Sequence, residues 1–271
     1  RAAQIYAGRQ DMANMAKYYE GLIQNFPKAS PAALAEAHFL LGRAAFDQGD
    51  FKSSISHMAE AKTLDPQKYG EQVNVLSVLS YHKLQDMNKL KEALETLQKE
   101  NPSAVARVPD VIPAWLGLQA YGMKDLETAD KYMTWATQND QLQNVKKVIW
   151  RNLAKVRLAL RKYDRALVAS NNFLKDEDQP YRRADGMLDK ASILLGLGKY
   201  ADARKTAEDA LALGVEGPLM ASLKIVLGDI SYAEKKFDEA AKHYGVTAEL
   251  FVNDAELKPK ALFKAAEALD K

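Results

Sequence analysis

Apolar residues recur along this chain at spacings of three and four, the signature of one face of an α-helix. One pattern repeats: an apolar or aromatic residue, three later a usually small one, four later a usually apolar one. The middle position is held by Met15, Ser54, Ala93, Ala129, Ala166, Ala203 and Ala240, at spacings of 39, 39, 36, 37, 37 and 37. Three residues before them stand Met12, Phe51, Leu90, Leu126, Tyr163, Tyr200 and Phe237. Twelve residues before the middle position come Ala3, Gly42, Tyr81, Gly117, Ala154, Ala191 and Gly228, nearly all small. The pattern predicts helical hairpins whose two helices cross closely where small residues oppose one another. Tyr81 is the misfit, and a local distortion is expected in the third hairpin. Short polar turns separate the helices at Gln10-Asp11, Gly49-Asp50, Lys124-Asp125, Gly198-Lys199 and Lys235-Lys236. Glycine there supplies positive φ and aspartate caps the next helix. Pro27, Pro66, Pro102, Pro180 and Pro218 mark hairpin ends. No stretch reads as a strand.

These residues resemble the tetratricopeptide repeat, whose pattern runs W-x2-L-G-x2-Y, then A-x3-F, then P. The best matches are Leu41-Gly42 with Gly49-Asp50-Phe51, Leu116-Gly117 with Ala129 and Met133, and Trp150 with Leu153-Ala154 and Tyr163-Ala166. The resemblance implies an all-α α-solenoid of about seven hairpins over residues 1–271, a single domain wound as a right-handed superhelix. The first repeat is truncated, and residues 254–271 form a capping helix or the first helix of a further repeat. The spacings exceed the family's usual 34 residues. The stretch from Tyr18-Tyr19-Glu20 to Asn25-Phe26-Pro27, continuing through Ala33–Ala37 to Leu41-Gly42, resembles bacterial cell-envelope tetratricopeptide proteins. Those include the Tol–Pal-associated periplasmic coordinator and the lipoprotein of outer-membrane protein assembly. Lys258–Ala266 has the same character.

Composition narrows the chemistry. The 271 residues contain 38 basic and 36 acidic side chains, for a net charge of +2, and no cysteine. Near-neutrality argues against an obligate nucleic-acid binder. The lack of cysteine excludes disulfides, thiolate metal sites and cysteine nucleophiles, and suits an oxidising compartment. No apolar run reaches transmembrane length. The first residue is Arg1 rather than Met, so a mature or trimmed chain is expected, periplasmic or membrane-associated through an N-terminal segment outside it. A cytoplasmic location is the alternative.

The family resemblance places partner binding on the concave faces of the first helices. The candidates are Phe39, Arg43 and Phe46; His82 and Gln85; Ala114, Leu118 and Tyr121; Arg151, Lys155 and Leu158; Ser192 and Leu195; Asp229 and Tyr232. Phe39, Phe46 and Tyr121 have a second reading, as packing between adjacent repeats. From Lys146 to Arg165 there are eight basic residues and one acid, Asp164, and Lys147, Arg151 and Lys155 fall on one helix face. This ridge either holds an acidic peptide or carboxylate, or is a solvated face partly neutralised by Asp185 and Asp189.

No catalytic or cofactor-binding set emerges. His38, His57, His82 and His243 lack zinc-site spacing, and His38 falls where the family often has a packed Trp. Gly196-Leu197-Gly198-Lys199 lacks the remaining features of a phosphate loop and reads as an interhelical turn. Trp135 is expected to be partly exposed. The reading is a non-catalytic scaffold without cofactor or metal, binding a protein or peptide partner and no nucleic acid, with self-association at its ends an open question. The alternatives are a targeting or regulatory arm of a larger protein and, further off, a nucleic-acid-binding helical repeat.

Overall fold

The computed structural model describes residues 12–138, 143–251 and 254–271. Among them every regular element is a helix, as the periodicity predicts: α1 (Met12–Asn25), α2 (Pro31–Asp47), α3 (Phe51–Leu64), α4 (Pro66–Lys83), α5 (Met87–Glu100), a 3-10 helix (Pro102–Arg107), α6 (Val111–Gly122), α7 (Leu126–Ala136), α8 (Gln143–Ala159), α9 (Tyr163–Lys175), α10 (Pro180–Gly196), α11 (Tyr200–Leu211), α12 (Gly217–Ala233), α13 (Phe237–Leu250) and α14 (Leu257–Leu269). Helices α2 to α13 pair as six first-helix/second-helix hairpins, and α1 has the register of a second helix. The expectations at Ala3 and Gln10-Asp11 lie outside the described residues.

The chain divides into two compact units, Arg1–Ile112 and Pro113–Lys271. In the first, Met15 and Tyr19 of α1 pack on Ala37, Leu41 and Ala44 of α2. Met58 of α3 meets Ala35, Tyr69 and Val73. In the second, α10, α11 and α12 share a cluster that includes Ala191, Leu194, Ala203, Ala207, Leu223 and Leu227. Ile225, Ala240, Tyr244 and Ala268 join α12, α13 and α14. Small residues set the closeness of each crossing. A Cβ on Gly117 would fall 2.7 Å from Met133, and one on Gly228 only 2.4 Å from the Tyr244 ring.

All six turns share one geometry. The residues Gly49, Gln85, Lys124, Arg161, Gly198 and Lys235 have φ between +55° and +82°. Each donates its N–H to the carbonyl three residues back, and the next residue donates to the carbonyl five back, as Gly49 does to Phe46 and Asp50 to Ala45. This closes the first helix with a Schellman motif. The following residue starts the second helix: Asp50, Asp86 and Asp125 accept the N–H of Ser53, Lys89 and Thr128, whereas Lys162, Lys199 and Lys236 supply no side-chain cap.

These turns correct the register of the third hairpin. Five of the six positive-φ residues stand five residues before a middle position, but Gln85 stands five before Leu90, not Ala93. The second helix accordingly begins at Met87, and its fully buried positions are Leu90, Leu94 and Leu97. The residue twelve before Leu90 is Val78, which is fully buried. Tyr81 therefore does not occupy the crossing. It is half-buried and lines a cleft with Asn74, Ser77 and Lys89, so the expected wedge is absent. Trp135 is another correction: it is 8% exposed and stacks on Tyr132 at 6.1 Å.

Candidate partner-binding surface

Three first-helix positions turn toward the second helix of the same hairpin: the small position, the one three before it and the one four after it. In the first unit, Gly42 faces Met58 and Ser54, Phe39 packs with Met58 and stacks on Tyr69 at 4.7 Å, and Phe46 meets Phe51 edge-on at 5.5 Å. In the second unit, Gly228 faces Tyr244, Ile225 packs with Ala240 and Tyr244, and Tyr232 meets Phe237 edge-on at 5.3 Å. Phe39 thus packs toward the next repeat through Tyr69, whereas Phe46 and Tyr232 pack within their own hairpins on Phe51 and Phe237. Tyr121, in the same position as Phe46 and Tyr232, is half-buried.

The positions one after the small residue lie beside this packed face. Arg43 is exposed and makes a long ion pair with Asp47 at 3.9 Å. In the second unit, Leu118, Lys155, Ser192 and Asp229 are half-buried. Under the corrected register His82 takes the position of Phe46, half-buried, with its imidazole pKa lowered by burial and by Lys83. Gln85 is the positive-φ turn residue and not part of a first-helix face.

The basic stretch Lys146–Arg165 is neutralised from both sides. Toward the next hairpin, Arg151 pairs with Asp185 and Lys155 with Asp189 at 3.8 Å, while Lys147 donates to the Asp176 carbonyl at the end of its own hairpin. Toward the preceding hairpin, Arg157 bonds Asp130 at 2.8 Å and Thr134 at 2.7 Å, while Lys162 reaches Glu127 and Asp130 at 2.7 and 2.9 Å. Of the eight, Arg161 and Arg165 stay exposed. The ridge is therefore mainly a clamp between hairpins, with Asp185 and Asp189 the counter-charges named from the sequence. Asp130 and Glu127 were not foreseen; their signal was the buried helix face on which Asp130 falls, one residue after Ala129.

Burial sets the acid strengths. Desolvation pushes the Asp189 carboxyl up to about 6, against the pull of Lys155 and Arg151. At Asp130 desolvation also acts upward, but Arg157 and Lys162 outweigh it and hold the group below its ordinary value. The His38 and His57 rings lie with their Nδ1 atoms 3.0 Å apart. Burial lowers both, His38 further through His57; Glu60 opposes this at both, joined at His57 by Glu20 and Asp50.

Among the described residues no group of three or more His, Asp or Glu is placed to hold a metal ion, and no helix is long and apolar enough to cross a membrane.

A family model for the tetratricopeptide repeat matches residues 1–69 and 188–249. The matched stretches carry tetratricopeptide repeats. Such repeats are in general protein–protein interaction modules, and the proteins built from them are in general non-catalytic scaffolds. No curated protein matches the chain in sequence. Among solved structures, the chain is similar to a chain of Naa15/Naa10 bound to HypK-THB, at 15% identity and a TM-score of 0.58, covering 100% of this chain and 39% of that one. It thus spans about two fifths of that chain's length. It is also similar to the apo form of RapI, at 15% identity and a TM-score of 0.50, covering 87% of this chain and 70% of that one. At such identities the likeness is one of fold.

Proposed function

We propose that the chain is a non-catalytic scaffold of a bacterial cell envelope that holds a protein or peptide partner on the first-helix faces of its tetratricopeptide hairpins. The observation that carries this is the row of positions one after each small residue. Arg43 in the first unit, and Leu118 and Ser192 in the second, reach solvent beside a packed face. Within the second unit, a face that sets the apolar Leu118 and the hydroxyl of Ser192 at equivalent positions suits a peptide or helix that lays down side chains of more than one kind. Because Arg151 and Lys155 are neutralised internally, the partner need not be acidic. The absence of cysteine and the envelope-type stretches Tyr18–Pro27 and Lys258–Ala266 support the location.

The experiment places a photo-crosslinking amino acid at Arg43 and, separately, at Leu118 in the full gene product, and reads adducts in fractionated cells. A discrete adduct from both positions in the envelope fraction is expected. Adducts only in the cytoplasmic fraction overturn the location, and no adduct from either position overturns the surface.

A further inference from the structure

Two members of the basic stretch are left over from the clamp between hairpins. Arg161 and Arg165 are exposed, and neither side chain makes an ion pair or hydrogen bond among the described residues. They line one cavity of about 410 Å3 together with Lys162, Tyr163, Asp164 and Leu197. All six residues belong to the second unit. The cavity lies between the turn of the fifth hairpin and that of the sixth, which supplies Leu197. Its shape follows from Tyr163. The equivalent Phe51 and Phe237 close on Phe46 and Tyr232 of their own hairpins. The Tyr163 ring lies instead against Gly196 of the next hairpin, where a Cβ would collide with it. That ring and Leu197 give the cavity an apolar part. The Tyr163 hydroxyl has no hydrogen-bond partner among the described residues.

The chemistry of the lining selects the ligand. Lys162 is spent on Glu127 and Asp130, so the charges open to a guest are two guanidiniums and the Asp164 carboxylate. A guanidinium presents its N–H donors as a planar fork that fits an oxyanion. Two unpaired forks and a hydroxyl offer more donors than the two oxygens of a carboxylate can use. A phosphate monoester brings three acceptor oxygens and a charge of about −1.5 to −2 at pH 7. A bare phosphate would leave most of the cavity empty, and Asp164, an acceptor, favours a hydroxyl or N–H next to the anion. We infer that this cavity binds a phosphate monoester, its phosphate between Arg161 and Arg165 and its organic part against Leu197 and the Tyr163 ring. A free organic phosphate and a phosphorylated side chain present the same group. The site lies at the turn edge, apart from the first-helix row proposed above, and stands or falls without it.

The test is an NMR titration of the isotope-labelled full chain at low ionic strength with three probes: glycerol phosphate, a capped alanine peptide with one central phosphoserine, and the same peptide with glutamate in its place. At least one phosphate probe should give saturable amide shifts centred on residues 161–165 and 196–198, and should bind at least fivefold more tightly than the glutamate peptide. The tighter of the two phosphates identifies the source. Arg161→Gly combined with Arg165→Gln should weaken that binding at least tenfold. Arg161 has φ +56°, which glycine adopts without strain, so the thermal midpoint should not fall and lost binding is not lost folding. Lys235→Gln combined with Lys242→Gln makes the same change of charge at exposed lysines elsewhere in the unit and should leave affinity within twofold. Absence of saturable shifts with both phosphates, equal binding of the glutamate peptide, or an equal loss in the lysine control each overturns the proposal.

Discussion

Asp130 and Arg157 form an ion pair 2.8 Å long in which each side chain is 8% exposed. Arg204 and Ser231 stand in the same relation two repeats later, 27 residues apart in both cases, with the polarity reversed. There the cation sits on the second helix and reaches Glu234 and Glu239, each at 2.7 Å. One repeat position thus serves as a polar staple between successive hairpins with either sign of charge.

Removing Arg157 leaves Asp130 buried with Lys162 as its remaining cation. Arg157→Leu should destabilise the second unit by roughly 2–4 kcal/mol, and adding Asp130→Leu should recover most of the loss, because an apolar pair needs no desolvated charge. Urea denaturation of the two variants checks this.

Four of the six hairpin turns place a residue with a Cβ at positive φ, where only glycine is free of strain. Lys124, at φ 63°, is exposed. Lys124→Gly should stabilise the chain by about 1 kcal/mol and Gly198→Ala should destabilise it by a similar amount. The urea midpoints should move in opposite directions.

The small positions differ in tolerance. The Tyr244 hydroxyl donates to Asp229 at 2.6 Å, so its ring cannot easily retreat from a Cβ built 2.4 Å away. Gly228→Ala should cost about 1–3 kcal/mol. Gly42→Ala, with its nearest contacts at 3.1 Å and one of them to a flexible methionine, should cost less. Thermal unfolding of the two variants gives the order.

The pH dependence divides by sign. Asp189 titrates near 6 in the folded chain against an ordinary 3.8. Its contribution is greatest below pH 3.8 and is lost as pH rises through about 6. Two units at about 1.4 kcal/mol each amount to ~3 kcal/mol. Relative to the parent, Asp189→Asn should therefore gain stability between pH 4 and 7. His38 and His57 act oppositely: their folded pKa values lie below 6.5, so their contribution is present above that pH and lost as pH falls. His57→Gln should flatten the parent's loss of stability between pH 7 and 5, read from denaturation midpoints at each pH.

The residues themselves determined the helices, the second-helix starts at Phe51, Leu126, Tyr163, Tyr200 and Phe237, and the repetition, because an amphipathic helix that must bury one face writes that face into its spacing. The third hairpin shows where this ends. Leu90, Leu94 and Leu97 lie on one face whether the middle position is Leu90 or Ala93, since a slip of three residues nearly preserves the face. The slip was settled by Gln85, whose positive φ depends on the carbonyls it must reach and not on its own side chain. Likewise, of the carboxylates that meet the eight basic residues, Asp185 and Asp189 were legible in the sequence, and only packing added Asp130 and Glu127. Charge partners 27 to 35 residues apart meet because neighbouring hairpins stack, which no local pattern encodes.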